Sequence, residues 1–126
     1  MKLFAAAAAA LLAGFFLCAS PANAETVVLR ALDKTTGVAK DLDAPTGKPI
    51  KFGTLTITAR SCSKRAPEET PEVYAYLQIE DKPIVDANEK PAEQKTIFSG
   101  WMFWSSPGLN PLEHPSYDVW VIDCRA

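Results

Sequence analysis

The sequence predicts a small all-β domain: an antiparallel β-sandwich or barrel of six to seven short strands, with one disulfide and at most a single helical turn. Three observations point there. Short apolar runs alternate with period two and are separated by turns bearing Gly, Pro and Asp. No stretch beyond residue 24 sustains a helical period. Setting an export signal aside leaves an even cysteine count. Sandwich is favoured over barrel, because inter-sheet disulfides are common in that architecture.

The export signal is residues 1–24. Met1 and Lys2 precede an uncharged apolar run over 3–17, and Ala22-Asn23-Ala24 places small residues where a signal peptidase reads. Cleavage is expected after Ala24, leaving residues 25–126 as a single β domain. The apolar run is too short and too Ala-rich for a spanning helix, so no transmembrane segment is expected after cleavage. Cys18 comes after Phe16 and Leu17, not after the small residue that lipid attachment requires. Removal of Cys18 leaves Cys62 and Cys124, and an exported pair in an oxidising compartment predicts a disulfide. Closing a loop of about 60 residues is worth about 4 kcal/mol by chain entropy, before native strain is subtracted.

The strands run in order along the chain. Residues 25–32 (ETVVLRAL) alternate, with Val27, Leu29 and Ala31 against Val28, Arg30 and Leu32. Asp33 to Gly37 is a turn and 38–42 the return strand of a hairpin. Residues 44–49, with Pro45 and Pro49, form a second turn at a sheet edge. In residues 50–61 the apolar phase slips at Gly53, which reads as a bulge or tight turn. Cys62 then falls on the outer parity, in conflict with a disulfide to an inward Cys124. Residues 63–72 are a charged loop. Residues 73–80 form the cleanest strand, with Tyr74 and Tyr76 on its outer parity. Residues 81–95 are a long polar loop, in which Ile84-Val85 suggests a brief strand. Residues 96–104 (TIFSGWMFW) are apolar on both parities, so they are covered on both faces or present aromatic surface. In the next loop Asn110-Pro111-Leu112-Glu113 fits one helical turn. The last strand, 116–124, is expected to place Trp120, Ile122 and Cys124 in the core, opposite Tyr117, Val119 and Val121.

Composition narrows the function. The mature chain carries 12 basic and 15 acidic side chains, a net −3 without a basic cluster. That argues against nucleic acid and anionic lipid as partners. With one histidine and scattered carboxylates, no metal site and no cofactor are expected. Ser99, Ser105 or Ser106 with His114 and Asp118 could compose a triad, but there is no GxSxG elbow, and no catalytic residue is assigned. Asp41 and Asp43, or Glu68, Glu69 and Glu72, read as solvated carboxylates. The aromatic set is different. Trp101, Trp104 and Tyr117, beside Glu113 and His114, form the candidate binding surface for a sugar, a peptide or a protein.

Three stretches together, ETPE (69–72), SGWMFWSSP (99–107) and LEHPSYDVWVIDC (112–124), resemble the bacterial family catalogued as domain of unknown function 2155. The likeness runs from about Val28 onward. It implies a small exported, periplasmic domain with paired cysteines matching Cys62 and Cys124, and brings no activity. Trp104 stands where that pattern has a smaller residue. The expectation is a non-catalytic periplasmic binding or scaffold module, whose partner is an unknown envelope protein or component. The alternatives are a small hydrolase or glycan-processing enzyme using His114, and a carrier of a small apolar ligand. The sequence leaves the oligomeric state open.

Overall fold

A computed structural model describes residues 25–126; the predicted signal segment, with Cys18, lies outside the described residues. The strands are β1 (Thr26–Asp33), β2 (Val38–Pro45), β3 (Ile50–Phe52), β4 (Leu55–Lys64), β5 (Val73–Asp81), β6 (Lys95–Phe103) and β7 (Tyr117–Arg125). They build two antiparallel sheets, ordered β2-β1-β7 and β3-β4-β5-β6. The fold is therefore a sandwich rather than a closed barrel.

Local chemistry accounts for the turns. The Asp33 carboxylate accepts the N–H groups of Thr35 and Thr36 at 2.9 and 3.3 Å, and Gly37 takes φ 75°. The slip at Gly53 is a two-residue hairpin between Phe52 and Leu55 with φ 57°. Positive φ at the first turn position alone is what a type II′ turn needs. A Cβ at Gly53 would also collide with the Tyr117 hydroxyl, so glycine is required twice over.

The inner faces of both sheets supply the core. Val27, Leu29, Leu55, Ile57, Leu77, Ile79 and Val121 are fully buried. Each such side chain contributes about 1.5–3 kcal/mol of transfer free energy. The three-stranded sheet has one strand fewer than the sheet it faces, and the 104–116 segment adds Leu112 to the same buried cluster as Phe98 and Met102. That segment is irregular, not the expected helical turn. Asn110 does not cap a helix: its Nδ2 donates to the Trp101 carbonyl of β6 at 3.0 Å. Residues 82–94, including Ile84-Val85, form no strand.

β7 corrects the expected facing. Val119 and Val121 are buried, whereas Trp120 and Ile122 are only half-buried. The reason is a β-bulge. Leu29 opposes Val121 and Val28 opposes Asp123, leaving Ile122 as an extra residue. One extra residue inverts the parity of the strand beyond it, and Cys124 turns inward against Val27. β4 does the same. Ala59 opposes Leu77 and Ser61 opposes Tyr76, so Arg60 is extra and Cys62 becomes buried. The parity conflict at Cys62 is thereby resolved. Each bulge lies two residues before its cysteine, and the Cys62–Cys124 disulfide joins the two sheets across a Cα–Cα distance of 6.0 Å.

Candidate functional site

The three stretches that carry the family likeness meet around the 104–116 segment, which is fastened at both ends. At its start, Glu72 collects donors. Its Oε1 accepts the N–H groups of Val73 and Ser105, each at 3.1 Å, and its Oε2 accepts the Ser105 hydroxyl. The Ser105 hydroxyl, foremost, with the two amides and the charge of Arg65, holds the Glu72 carboxyl below its ordinary range. The Trp104 N–H continues the ladder to the Val73 carbonyl at 2.8 Å.

At the other end lies His114. Its Nε2 is 2.9 Å from Asp81 Oδ2, and the two side chains are 11% and 10% exposed. Its Nδ1 accepts the N–H groups of Ser116 at 2.9 Å and Tyr117 at 3.2 Å. An acceptor Nδ1 places the ring proton on Nε2, which donates to Asp81. Thr54 Oγ1 donates to the other Asp81 oxygen at 2.5 Å. Both imidazole nitrogens are thus spent on positioning the entry to β7, and neither is free to take a proton from a substrate. The hydroxyls of Ser99 and Ser105 are engaged with Tyr76 and Glu72.

The five candidate binding residues do not form one site. Trp101 stands on the outer face of β6, 40% exposed. Trp104 lies past the end of that strand, 46% exposed. Glu113, His114 and Tyr117 gather at the far end of the sandwich, where Tyr117 packs edge-on to Phe52 and beside the His114 ring. Trp101 instead has neighbours outside the predicted set. Tyr74 and Tyr76 of β5 lie 5.6 and 5.4 Å from it, ring centre to ring centre, both edge-on. Their outer parity on β5 is legible in the sequence; their place beside Trp101 requires the β5–β6 register, in which Tyr76 opposes Trp101.

Two open clefts flank the segment. One, of about 470 Å³, is walled by the 64–72 loop, Val73, Trp104, Ile122 and Asp123. Lys64 Nζ donates to Asp123 Oδ1 at 3.0 Å, and this bond, foremost, lowers the Asp123 carboxyl from its ordinary range, with help from the Cys124 amide. The other, of about 560 Å³, is lined by Ile84, Lys95, Ile97, Glu113, His114 and Tyr117, among others. Neither concentrates charge of one sign. Elsewhere Asp41 and Asp43 are taken up by Arg30 and Arg125, each at 2.7 Å. Glu25 and the two cysteine sulfurs lie within 4.8 Å of one another, but the sulfurs are bonded together.

The comparisons agree with this geometry in what they join. A family described as an uncharacterised protein conserved in bacteria (DUF2155) matches residues 27–124, which takes in all three stretches and both cysteines. The uncharacterised protein RP359 of Rickettsia prowazekii (strain Madrid E) is 30% identical over 94 residues, 75% of this chain and 57% of that protein. The chain thus spans little more than half the length of that relative. No solved structure matches. With nearly the whole described sandwich inside the match, the chain belongs to the DUF2155 family.

Proposed function

We propose that this chain is an exported, non-catalytic binding module of the periplasm, which meets an envelope protein or component through the exposed aromatics of the 98–107 stretch. One observation carries the reading. The imidazole that an enzyme here would need is spent on structure, with both nitrogens of His114 occupied and the Ser99 and Ser105 hydroxyls engaged, while Trp101 and Trp104 remain 40% and 46% exposed. Large aromatics held rigidly at a surface supply contact area at little entropic cost. The sequence of residues 1–24 and the inter-sheet disulfide favour an oxidising compartment.

Crosslinking in the periplasm, with identification of the captured species, tests the reading. Wild type should capture a discrete component that is lost or strongly reduced in Trp101→Ala or Trp104→Ala. An unchanged capture profile in both variants removes the aromatic surface from the contact. The enzyme alternative makes the opposite demand: a turnover abolished in a folded His114→Ala variant.

A further inference from the structure

We infer that the partner is engaged as an extended polypeptide segment, added as a fifth strand along the open edge of β6 at Ser99 and Trp101. The inference rests on the binding-module reading and names the class of ligand that the module takes.

The register decides which backbone groups face outward. In an antiparallel pair, opposed residues alternate between exchanging hydrogen bonds and pointing their N–H and C=O away. The Trp104 N–H donates to the Val73 carbonyl. Counting back along β6, Met102 and Gly100 bond to β5, and Phe103, Trp101 and Ser99 face away from it. Two contacts agree with the count. The Trp101 carbonyl is taken from outside by Asn110 Nδ2 at 3.0 Å, and the Phe103 carbonyl by the Ser106 N–H at 3.4 Å. The Ser99 N–H, the Ser99 carbonyl and the Trp101 N–H have no hydrogen-bond partner among the described residues, and both residues are exposed. Asn110 fills one rung with a carboxamide, the side-chain group that most resembles a peptide bond. Gly100 permits this, since a Cβ there would lie 2.8 Å from Asn110 Nδ2.

The other edge strands are less suited to pairing. β2 carries Lys40, Asp41, Asp43 and Pro45, the charges and proline that blunt an edge. β3 has three residues. On β7, Val121 is wholly buried. β6 has no charged residue from Thr96 to Phe103. An incoming strand would find N–H and C=O groups at ladder spacing, with the Trp101 and Tyr76 rings beside it to receive the side chains of its outer face. A sugar stacked on Trp101 would have no use for the Ser99 amide.

The test pans a bead-displayed pool of random nonapeptides against disulfide-intact residues 25–126, with Ser99→Pro and Ser99→Ala as variants. Proline at an outward-facing edge position deletes the N–H without removing a β5–β6 ladder bond, and alanine keeps it. Peptides selected on wild type should bind Ser99→Ala equally and Ser99→Pro about tenfold more weakly. Methylating the peptide amides one at a time should abolish binding at the one position whose N–H meets the Ser99 carbonyl, since the Trp101 and Phe103 carbonyls are already taken. Equal binding to Ser99→Pro, a methylation response at no amide or at adjacent amides alike, or no peptide enriched on wild type overturns the inference. So does concentration-dependent dimerisation lost in Ser99→Pro, which would give the edge to a second copy. Should Ser99→Pro not fold, the methylation series on wild type decides alone. Capture lost in Trp101→Ala but indifferent to Ser99→Pro sinks strand addition and leaves the binding module standing.

Discussion

β5 connects two ends of the sandwich that are held by opposite means. At the Val73 end, the sheets are joined covalently through Cys62 and Cys124, and the polar contacts nearby, Glu72 with Ser105 and Lys64 with Asp123, lie at the surface. At the Asp81 end there is no covalent link, and a part-buried cluster of Thr54, Asp81 and His114 joins the β3–β4 turn, β5 and the entry to β7. Both ends border an open cleft; the covalent end leaves its polar contacts at the surface, whereas the non-covalent end depends on polar groups that are mostly buried and paired with one another. Both ends fix the same segment, 104–116, and leave the aromatic rings and the edge of β6 between them.

Removing the staple should have the largest effect. The double replacement Cys62→Ser with Cys124→Ser should lose about 4 kcal/mol in urea unfolding, the loop-entropy value for this separation. A loss below about 1 kcal/mol would mean that packing alone closes that end. Next comes the buried end. His114→Ala leaves the Asp81 carboxylate without one donor and the Ser116 and Tyr117 amides without an acceptor, and should cost about 2 kcal/mol by the same measurement. A neutral result there would show water replacing the ring and would erase the contrast between the ends.

The smallest effect belongs to the exposed carboxylates. Glu72 and Asp123 have folded-state pKa values lowered from ordinary values of 4.5 and 3.8. A lowered value means that the folded state holds its charged form more firmly than the unfolded state does. The stabilisation is therefore complete above those ordinary values and is lost as pH falls through the lowered ones. Thermal midpoints should decline below about pH 4.5, modestly because these groups are solvated. Glu72→Gln should flatten part of that decline by modestly lowering the midpoint at pH 7, where the charged form contributes in full, while the acid end stays nearly unchanged. An identical acid slope in the variant would remove Glu72 from the first anchor.

Much of the sandwich is legible in the sequence because its strands alternate cleanly. β1 and β5 show their buried faces directly in Val27, Leu29 and Ala31 and in Val73, Ala75, Leu77 and Ile79. In β7 the sequence suggests the faces exchanged. Trp120, Ile122 and Cys124 are the bulkier set, and a cysteine in a disulfide must point inward, so they look like the core. The bulge that separates Cys124 from Trp120 sits at Ile122, and the one in β4 sits at Arg60; neither residue type marks a bulge as glycine would. The anchors are hidden for another reason. Glu72 and Ser105 are 33 residues apart, as are Asp81 and His114, and nothing in local composition couples carboxylates to partners at that distance. Tyr74 and Tyr76 are visible as an outward pair, but their companion is set by a register that one sequence does not contain.

The paired bulges also act as a checkpoint on assembly. With β4 or β7 paired straight through, without its extra residue, the thiol beyond it would face solvent, on the wrong side of its sheet. Oxidation to the native bond is therefore open only to a chain in which both sheets have found their own alignment. The covalent link is a record that two independent counts were right; deleting one residue between either bulge and its cysteine would let that strand pair without a bulge and still turn its thiol inward, so the bond would form without that check.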